Sequence, residues 1–241
     1  TGSGKTTTLY AGLRYLSDSS QNILTVEDPI EYTLNGIGQT QVNNKTGYTF
    51  AKGLRAILRQ DPDIVMVGEM RDIETAQIGI QSSLTGHLVL STVHTNSAVA
   101  AITRLRDMGI ESFLLASSLR TIISQRLVRR LCPHCKTKDK PSIKSVDIFG
   151  LDKNKSVYSA KGCDECNHTG YQGRIAIAEC IQIDKTLKDF IHNNASENEI
   201  SEYVFKDNQS IDQASVDLIT SGVTSCEEII RINNIQEDAS I

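Results

Sequence analysis

The chain begins with TGSGKTTTLY, a glycine-rich run that ends in a lysine and three threonines. Gly4, Lys5 and Thr6 fill the last three positions of the phosphate-loop pattern G-x-x-x-x-G-K-[ST], whose first glycine would fall before Thr1. Gly2 and Gly4 can take positive φ and keep side chains away from a phosphate, so that successive backbone N–H groups form an anion nest. Lys5 supplies a point charge for β and γ phosphates, Thr6 a hydroxyl for Mg²⁺, and a helix starting here the positive end of its dipole. The candidate nucleotide-binding set is Gly2, Ser3, Gly4, Lys5, Thr6 and Thr7, and the ligands it implies are ATP and Mg²⁺.

Three further stretches carry groups suited to phosphate hydrolysis. VEDPIEY places Glu27, Asp28 and Glu31 just beyond a run of strand character. Such a cluster alone also suits a solvated turn, but beside a phosphate loop its carboxylates can position Mg²⁺ and an attacking water. IVMVGEMRD is an apolar run ending in Glu69, the arrangement in which a dry strand delivers a carboxylate to metal and water. Arg71 lies within reach of the same place, and could instead pair with Asp72 or Asp63. In TGHLVLSTVHTN, His94 follows a strand beside Thr92, Thr95 and Asn96, where a sensor of the γ-phosphate would sit. His87, at the start of that strand and inside it, reads as a satisfied core histidine.

The third set is metal-binding. CPHC at Cys132 and Cys135 and CDEC at Cys163 and Cys166 are two C-x₂-C knuckles, each able to give two thiolates to one tetrahedral Zn²⁺. Four sulfurs close such a site, so His134 and His168 are not expected as ligands and the role is structural. Cys180 and Cys226 stand apart and are expected as packed thiols.

These residues need a scaffold. Helical spacing is expected over 6–17, 50–59, 73–84, 98–108 and 113–127, with strands at 23–26, 64–67 and 87–94. Asn35 to Asn43 reads as an irregular hairpin. The alternation predicts an α/β fold whose parallel sheet is covered on both faces, with Glu27, Glu69 and His94 leaving the carboxyl ends of its strands. The pattern breaks at Cys132, which suggests a core over 1–131, a tetracysteine subdomain over 132–174 and short helices over 175–241. At 39% hydrophobic content and net charge −4, the composition is that of a folded chain without a generic nucleic-acid surface, although Arg126, Arg129 and Arg130 cluster. No apolar run approaches a membrane span.

The segments TGSGKTTTLY, ILTVEDPIEY, LRAILRQDPDIVMVGEMRD and TGHLVLSTVHTN, in this order, resemble the Walker A, Asp box, Walker B and His box of the secretion ATPase superfamily. NGIGQTQVN, RLRDMGIESFLLASSL and QRLVRRLCPHC bring the likeness closest to the type II secretion ATPases, from Thr1 to about Ile183 and more weakly beyond. The type IV pilus assembly ATPases, which share the four boxes and a tetracysteine segment, are the alternative. The resemblance implies a RecA-like P-loop core in a homo-hexameric motor, cytoplasmic and held peripherally at a bacterial inner membrane by secretion platform proteins. It also implies that Glu27 and Glu69 share metal and water positioning, with Glu69 as general base. His94 would read the γ-phosphate, and Arg71 would join the site to the rest of the motor. The family's arginine fingers are expected from an N-terminal domain. A small-molecule kinase would need an acceptor pocket, for which no feature appears, and the catalytic boxes argue against a purely zinc-based interaction module.

Overall fold

A computed structural model describes residues 2–18 and 20–238, with side chains to 232. The chain forms two compact units, one of Lys5–Ile122 with Ile181–Lys206, the other of residues 2–4 with Ile123–Cys180 and 207–238. These boundaries differ from the divisions after residues 131 and 174 expected from composition.

The first unit opens with α1 (Lys5–Leu16), β1 (Ile23–Glu27), β2 (Gly38–Gln41), α2 (Phe50–Ile57), β3 (Ile64–Val67), α3 (Ile73–Leu84), β4 (Leu88–Ser91), α4 (Ala98–Asp107) and α5 (Ser112–Ser118). Its four strands form one parallel sheet in the order β2-β1-β3-β4. Period-2 alternation explains why β3 is wholly apolar. Ile64 and Met66 pack with Tyr10 and Leu13 of α1, and Val65 and Val67 with Phe50, Leu54 and Ile57 of α2. Each such side chain contributes roughly 1.5–3 kcal/mol by leaving water. Side-chain caps start the helices where the sequence offers them: Thr49 for α2, Asp72 for α3 and Ser97 for α4.

Two expectations fail here. Asn35 to Asn43 is no hairpin: Gly36 does make a turn, but β2 then runs parallel to β1, with Leu24 opposite Gly38 and Glu27 opposite Gln41. The helix expected over 113–127 ends at Ser118, because Leu119 takes an extended backbone (ψ 136°), and Thr121–Leu131 is strand β5.

In the second unit β5 pairs with β8 (Tyr171–Gln182), and between them β6 (Thr137–Asp139), α6 (Ile143–Phe149) and β7 (Val157–Ser159) precede the second cysteine knuckle. β6 and β7 are antiparallel, Lys138 opposite Tyr158. The remaining helices divide between the units. α7 (Lys185–His192) and α8 (Glu197–Val204) close the first unit, where Leu187, Ile191 and Ile200 pack with Ile80, Ile102 and Leu115. α9 (Ile211–Thr220) and α10 (Cys226–Asp238) cover the second through Ile211, Ile219 and Ile229 against Val128, Val157 and Ile177. Alternation in β8 sends Ile177, Glu179 and Ile181 inward, so Cys180 is exposed, contrary to the packed thiol expected; Cys226 is buried.

Glu228 of α10 is buried and ionised. Its Oε1 accepts from the Arg129 backbone N–H (3.0 Å) and Arg231 Nη2 (2.8 Å), and its Oε2 from Arg129 Nη2 (2.6 Å) and Arg231 Nε (2.9 Å). Burial pushes this carboxyl up, but the hydrogen bonds and charges of Arg231 and Arg129 outweigh it and hold it near 2. A carboxyl depressed on folding stabilises at pH values above its unfolded pKa, and that contribution is lost as pH falls from there through the folded value. Acid between about pH 4.5 and 2 should therefore remove on the order of 3 kcal/mol from this unit. Acid unfolding of Glu228→Gln, followed by circular dichroism, should lack that step; an unchanged acid profile would refute the assignment.

Candidate nucleotide and metal sites

The phosphate-loop residues adopt the backbone expected of them. Gly2 and Gly4 have φ of 82° and 83°, and α1 begins at Lys5, so Lys5, Thr6 and Thr7 form its first turn. The loop carries a support that sequence reasoning missed: Gln125 Nε2 donates to the Ser3 carbonyl at 2.8 Å. A Cβ on Gly4 would stand 2.8 Å from that same nitrogen and displace it, and the φ of 83° itself favours glycine. Placing residue 125 in a helix hid this contact.

At the carboxyl end of the sheet, Glu69, Arg71 and His94 come together. The Glu69 carboxylate accepts from Arg71 Nη2 on one oxygen and lies 3.2 Å from His94 Nε2 on the other. The loops that bring them there are joined by the backbone and by Thr92. Met70 N–H donates to the Thr92 carbonyl (2.9 Å), and Thr92 Oγ1 donates to the Gly68 carbonyl (2.8 Å). Burial pushes the Glu69 carboxyl up, but the Arg71 hydrogen bond and charge, with His94 added, hold it below the ordinary carboxylate range. Arg71 does not choose its alternative partners: Asp72 caps α3 through Thr75 N–H (2.8 Å), and Asp63 accepts from Asn22 N–H (2.7 Å). His87 lies 2.9 Å from the Ser82 carbonyl through Nδ1, a satisfied position at the end of α3.

Glu27 is placed differently from its acidic neighbours. Asp28 and Glu31 are exposed, whereas Glu27 is 2% exposed and turned into the fold. Its Oε1 accepts from Thr25 Oγ1 (2.6 Å) and Gln39 Nε2 (3.0 Å), and its Oε2 from the Tyr10 hydroxyl. Tyr10 and Gln39 went unread in the sequence because an aromatic on an apolar helix stripe and a glutamine in a strand carry no signal of their own.

The four cysteines meet. All four sulfurs lie within 4.8 Å of one another, with Cys132–Cys163 at 3.9 Å and both Cys135–Cys166 and Cys163–Cys166 at 3.8 Å. Four ligands around zinc at about 2.3 Å would stand about 3.8 Å apart, so the cluster fits a tetrahedral Zn²⁺. The knuckles are built by their backbones. Cys132 N–H donates to the Gly170 carbonyl (2.9 Å), and the Cys163 and Gly170 N–H groups both donate to the Cys166 sulfur (3.2 Å). Burial pushes the Cys166 thiol up, but these N–H groups and the thiols of Cys163 and Cys135 outweigh it and bring it to about 6; burial and the neighbouring thiols send Cys163 the other way, to about 12. Thiols this close cannot all ionise without a cation among them. His168 pairs with Asp164 at 3.1 Å, and neither it nor His134 joins the cluster.

Comparison with known proteins shows the family to which the chain belongs. A family model described as type II/IV secretion system protein matches residues 1–231. The type II secretion system ATPase E of Vibrio cholerae is 55% identical over 96% of this chain and 46% of its own length. The type II secretion system protein E of Pseudomonas aeruginosa is 55% identical over 96% and 47%. The chain thus spans about half the length of the curated relatives it matches. Among solved structures, the pilus retraction motor PilT with bound ADP superposes with a TM-score of 0.71 at 28% identity, covering 95% of this chain and 58% of that one. The match over residues 1–231 and the identity to these relatives place the chain in the type II/IV secretion system protein family.

Proposed function

We propose that this chain is the nucleotide-hydrolysing part of a motor that powers type II protein secretion. The observation that carries the reading is the meeting of Glu69, Arg71 and His94 at the carboxyl end of a parallel sheet, in a chain whose first helix opens on a glycine nest and Lys5. In this reading the backbone N–H groups of residues 2–5 and the Lys5 ammonium bind the β and γ phosphates of ATP, aided by the first turn of α1 with Thr7. The Thr6 hydroxyl would hold Mg²⁺, which when bound neutralises phosphate charge. Glu69, ionised at neutral pH, takes a proton from the water whose oxygen attacks the γ-phosphorus. The bond to the β-phosphate oxygen breaks and ADP departs. His94 and Arg71 fix the Glu69 carboxylate and face the phosphate that is released. Zn²⁺ would sit among Cys132, Cys135, Cys163 and Cys166 as a structural ion, since four sulfurs leave no open position.

Assembly as a homo-hexamer, attachment to inner-membrane secretion platform proteins from the cytoplasmic side and use of arginine fingers from elsewhere in the protein belong to the same reading. Among the described residues no helix is long and apolar enough to cross a membrane. Relatives named for type II secretion reach 55% identity against 28% for the pilus retraction motor, which supports the secretion reading. Phosphate release by the full-length protein tests the proposal. Lys5→Ala should abolish hydrolysis and weaken binding of a fluorescent nucleotide, and undiminished turnover would sink the phosphate-loop assignment.

A further inference from the structure

We propose that Tyr10 is a positioning residue of the nucleotide site, tying the helix that carries Lys5 and Thr6 to the Glu27 carboxylate and to the acidic loop at 28–34. The inference rests on the proposed function for its catalytic consequence, and on geometry alone for the tie itself. Tyr10 lies one and a half turns beyond Lys5 on α1, and its ring is fully buried. Its hydroxyl donates to Glu27 Oε2 and accepts from the Glu31 backbone N–H at 3.3 Å, and its ring meets Tyr32 edge-on at 4.7 Å.

Strand β2 completes the tie. Gln39 Nε2 reaches Glu27 Oε1 (3.0 Å) and the Tyr32 carbonyl (3.2 Å), while Gln39 Oε1 accepts from Leu34 N–H (2.7 Å). Gln41 Oε1 accepts from Ile30 N–H at 3.3 Å. Three backbone N–H groups of the loop are thus held by side chains of α1 and β2, and the loop presents Asp28 and Glu31 outward. Glu27, with three donors on two oxygens and almost no exposure, works here as a strut. A phosphate drawing on Lys5 and α1 therefore acts on the loop through one phenol. Burial and the Glu27 hydrogen bond push that phenol up to about 12, so it remains a donor at working pH.

The test uses the full-length protein and Tyr10→Phe, which removes the hydroxyl and keeps the ring. Hydrogen exchange without nucleotide should be faster across 28–34 and unchanged in β3. Gln39→Ala, which frees the same loop from β2 and also removes the 3.4 Å bond from Gln39 Nε2 to the Tyr10 hydroxyl, should do likewise. In hydrolysis, Tyr10→Phe should lower kcat about tenfold and leave nucleotide Kd within about threefold, the pattern of misplaced groups with intact binding. Because Tyr10 acts through Glu27, Tyr10→Phe combined with Glu27→Gln should lose no more than the worse single variant. Unchanged exchange at 28–34, an unchanged kcat, or losses that multiply would overturn the proposal. Wild-type protein that hydrolyses no ATP would instead defeat the proposed function, and faster exchange in Tyr10→Phe would still support the tie.

Discussion

Glu69→Gln should leave nucleotide binding within a few-fold of wild type and lower ATP hydrolysis by the full-length protein by ~10² or more, the scale on which a positioned acid or base is lost. Glutamine keeps the shape of the side chain and an oxygen for Arg71, so the fold around β3 and β4 has no reason to change. What disappears is the charge and the capacity to take a proton. Glu27→Gln is the discriminating control. Glu27 is the more deeply enclosed carboxylate, its oxygens already bonded to Thr25, Gln39 and Tyr10, whereas among the described residues the Glu69 carboxylate has the largely exposed Arg71 and His94 beside it. Should Glu27→Gln abolish hydrolysis with binding intact while Glu69→Gln does not, the base has been misassigned. The pH profile gives a second reading. Glu69 must be ionised to act, and Arg71 with His94 holds its carboxyl down against burial. The acid limb of kcat should accordingly fall below the ordinary glutamate range, and Arg71→Ala should move that limb upward.

The parts of this site written as local patterns are legible in the sequence. Ile64–Val67 reads as a strand buried on both faces, because four consecutive apolar residues between Asp63 and Gly68 leave no polar side for water. Glu69 and His94 followed from the strand ends. The cysteine knuckles followed from their spacing. What failed was decided by long-range pairing. Residues 121–131 mix β-branched residues, leucines and arginines in a pattern that both periods accommodate, and pairing with β8 settles it as strand. Asn35–Gly36 does turn the chain, but Gly38–Gln41 finds β1 in parallel rather than a partner across the turn. The same two misreadings hid Gln125 and Gln39, whose contacts with Ser3 and Glu27 connect residues 122 and 12 positions apart. Polar residues that support a site from a distance in sequence become visible only once the sheet is assembled.

Removing zinc, or one of its ligands, should produce the largest change in stability anywhere in the chain. The segment between the knuckles has little else to hold it: of its residues only Leu151 and Val157 enter the buried apolar cluster, with Val146 and Phe149 partly covered beside them. Structural zinc sites are worth about 10 kcal/mol in apparent binding, because the thiolates gather only in the folded state. The thiols here need a cation to ionise together, so Cys163→Ser leaves an incomplete cluster as well as a missing ligand. In protein purified without chelator, metal analysis should give one Zn²⁺ per chain. In Cys163→Ser, limited proteolysis should cut between Leu131 and Arg174 while the parallel-sheet unit stays resistant. That unit draws its core from α1 to α5 with α7 and α8, none of which lies in the segment, so the variant should still bind nucleotide at Lys5. Sub-stoichiometric metal, or a disulfide joining the knuckles in reducing buffer, would overturn the zinc assignment. Loss of nucleotide binding in Cys163→Ser would show instead that the two units fold as one.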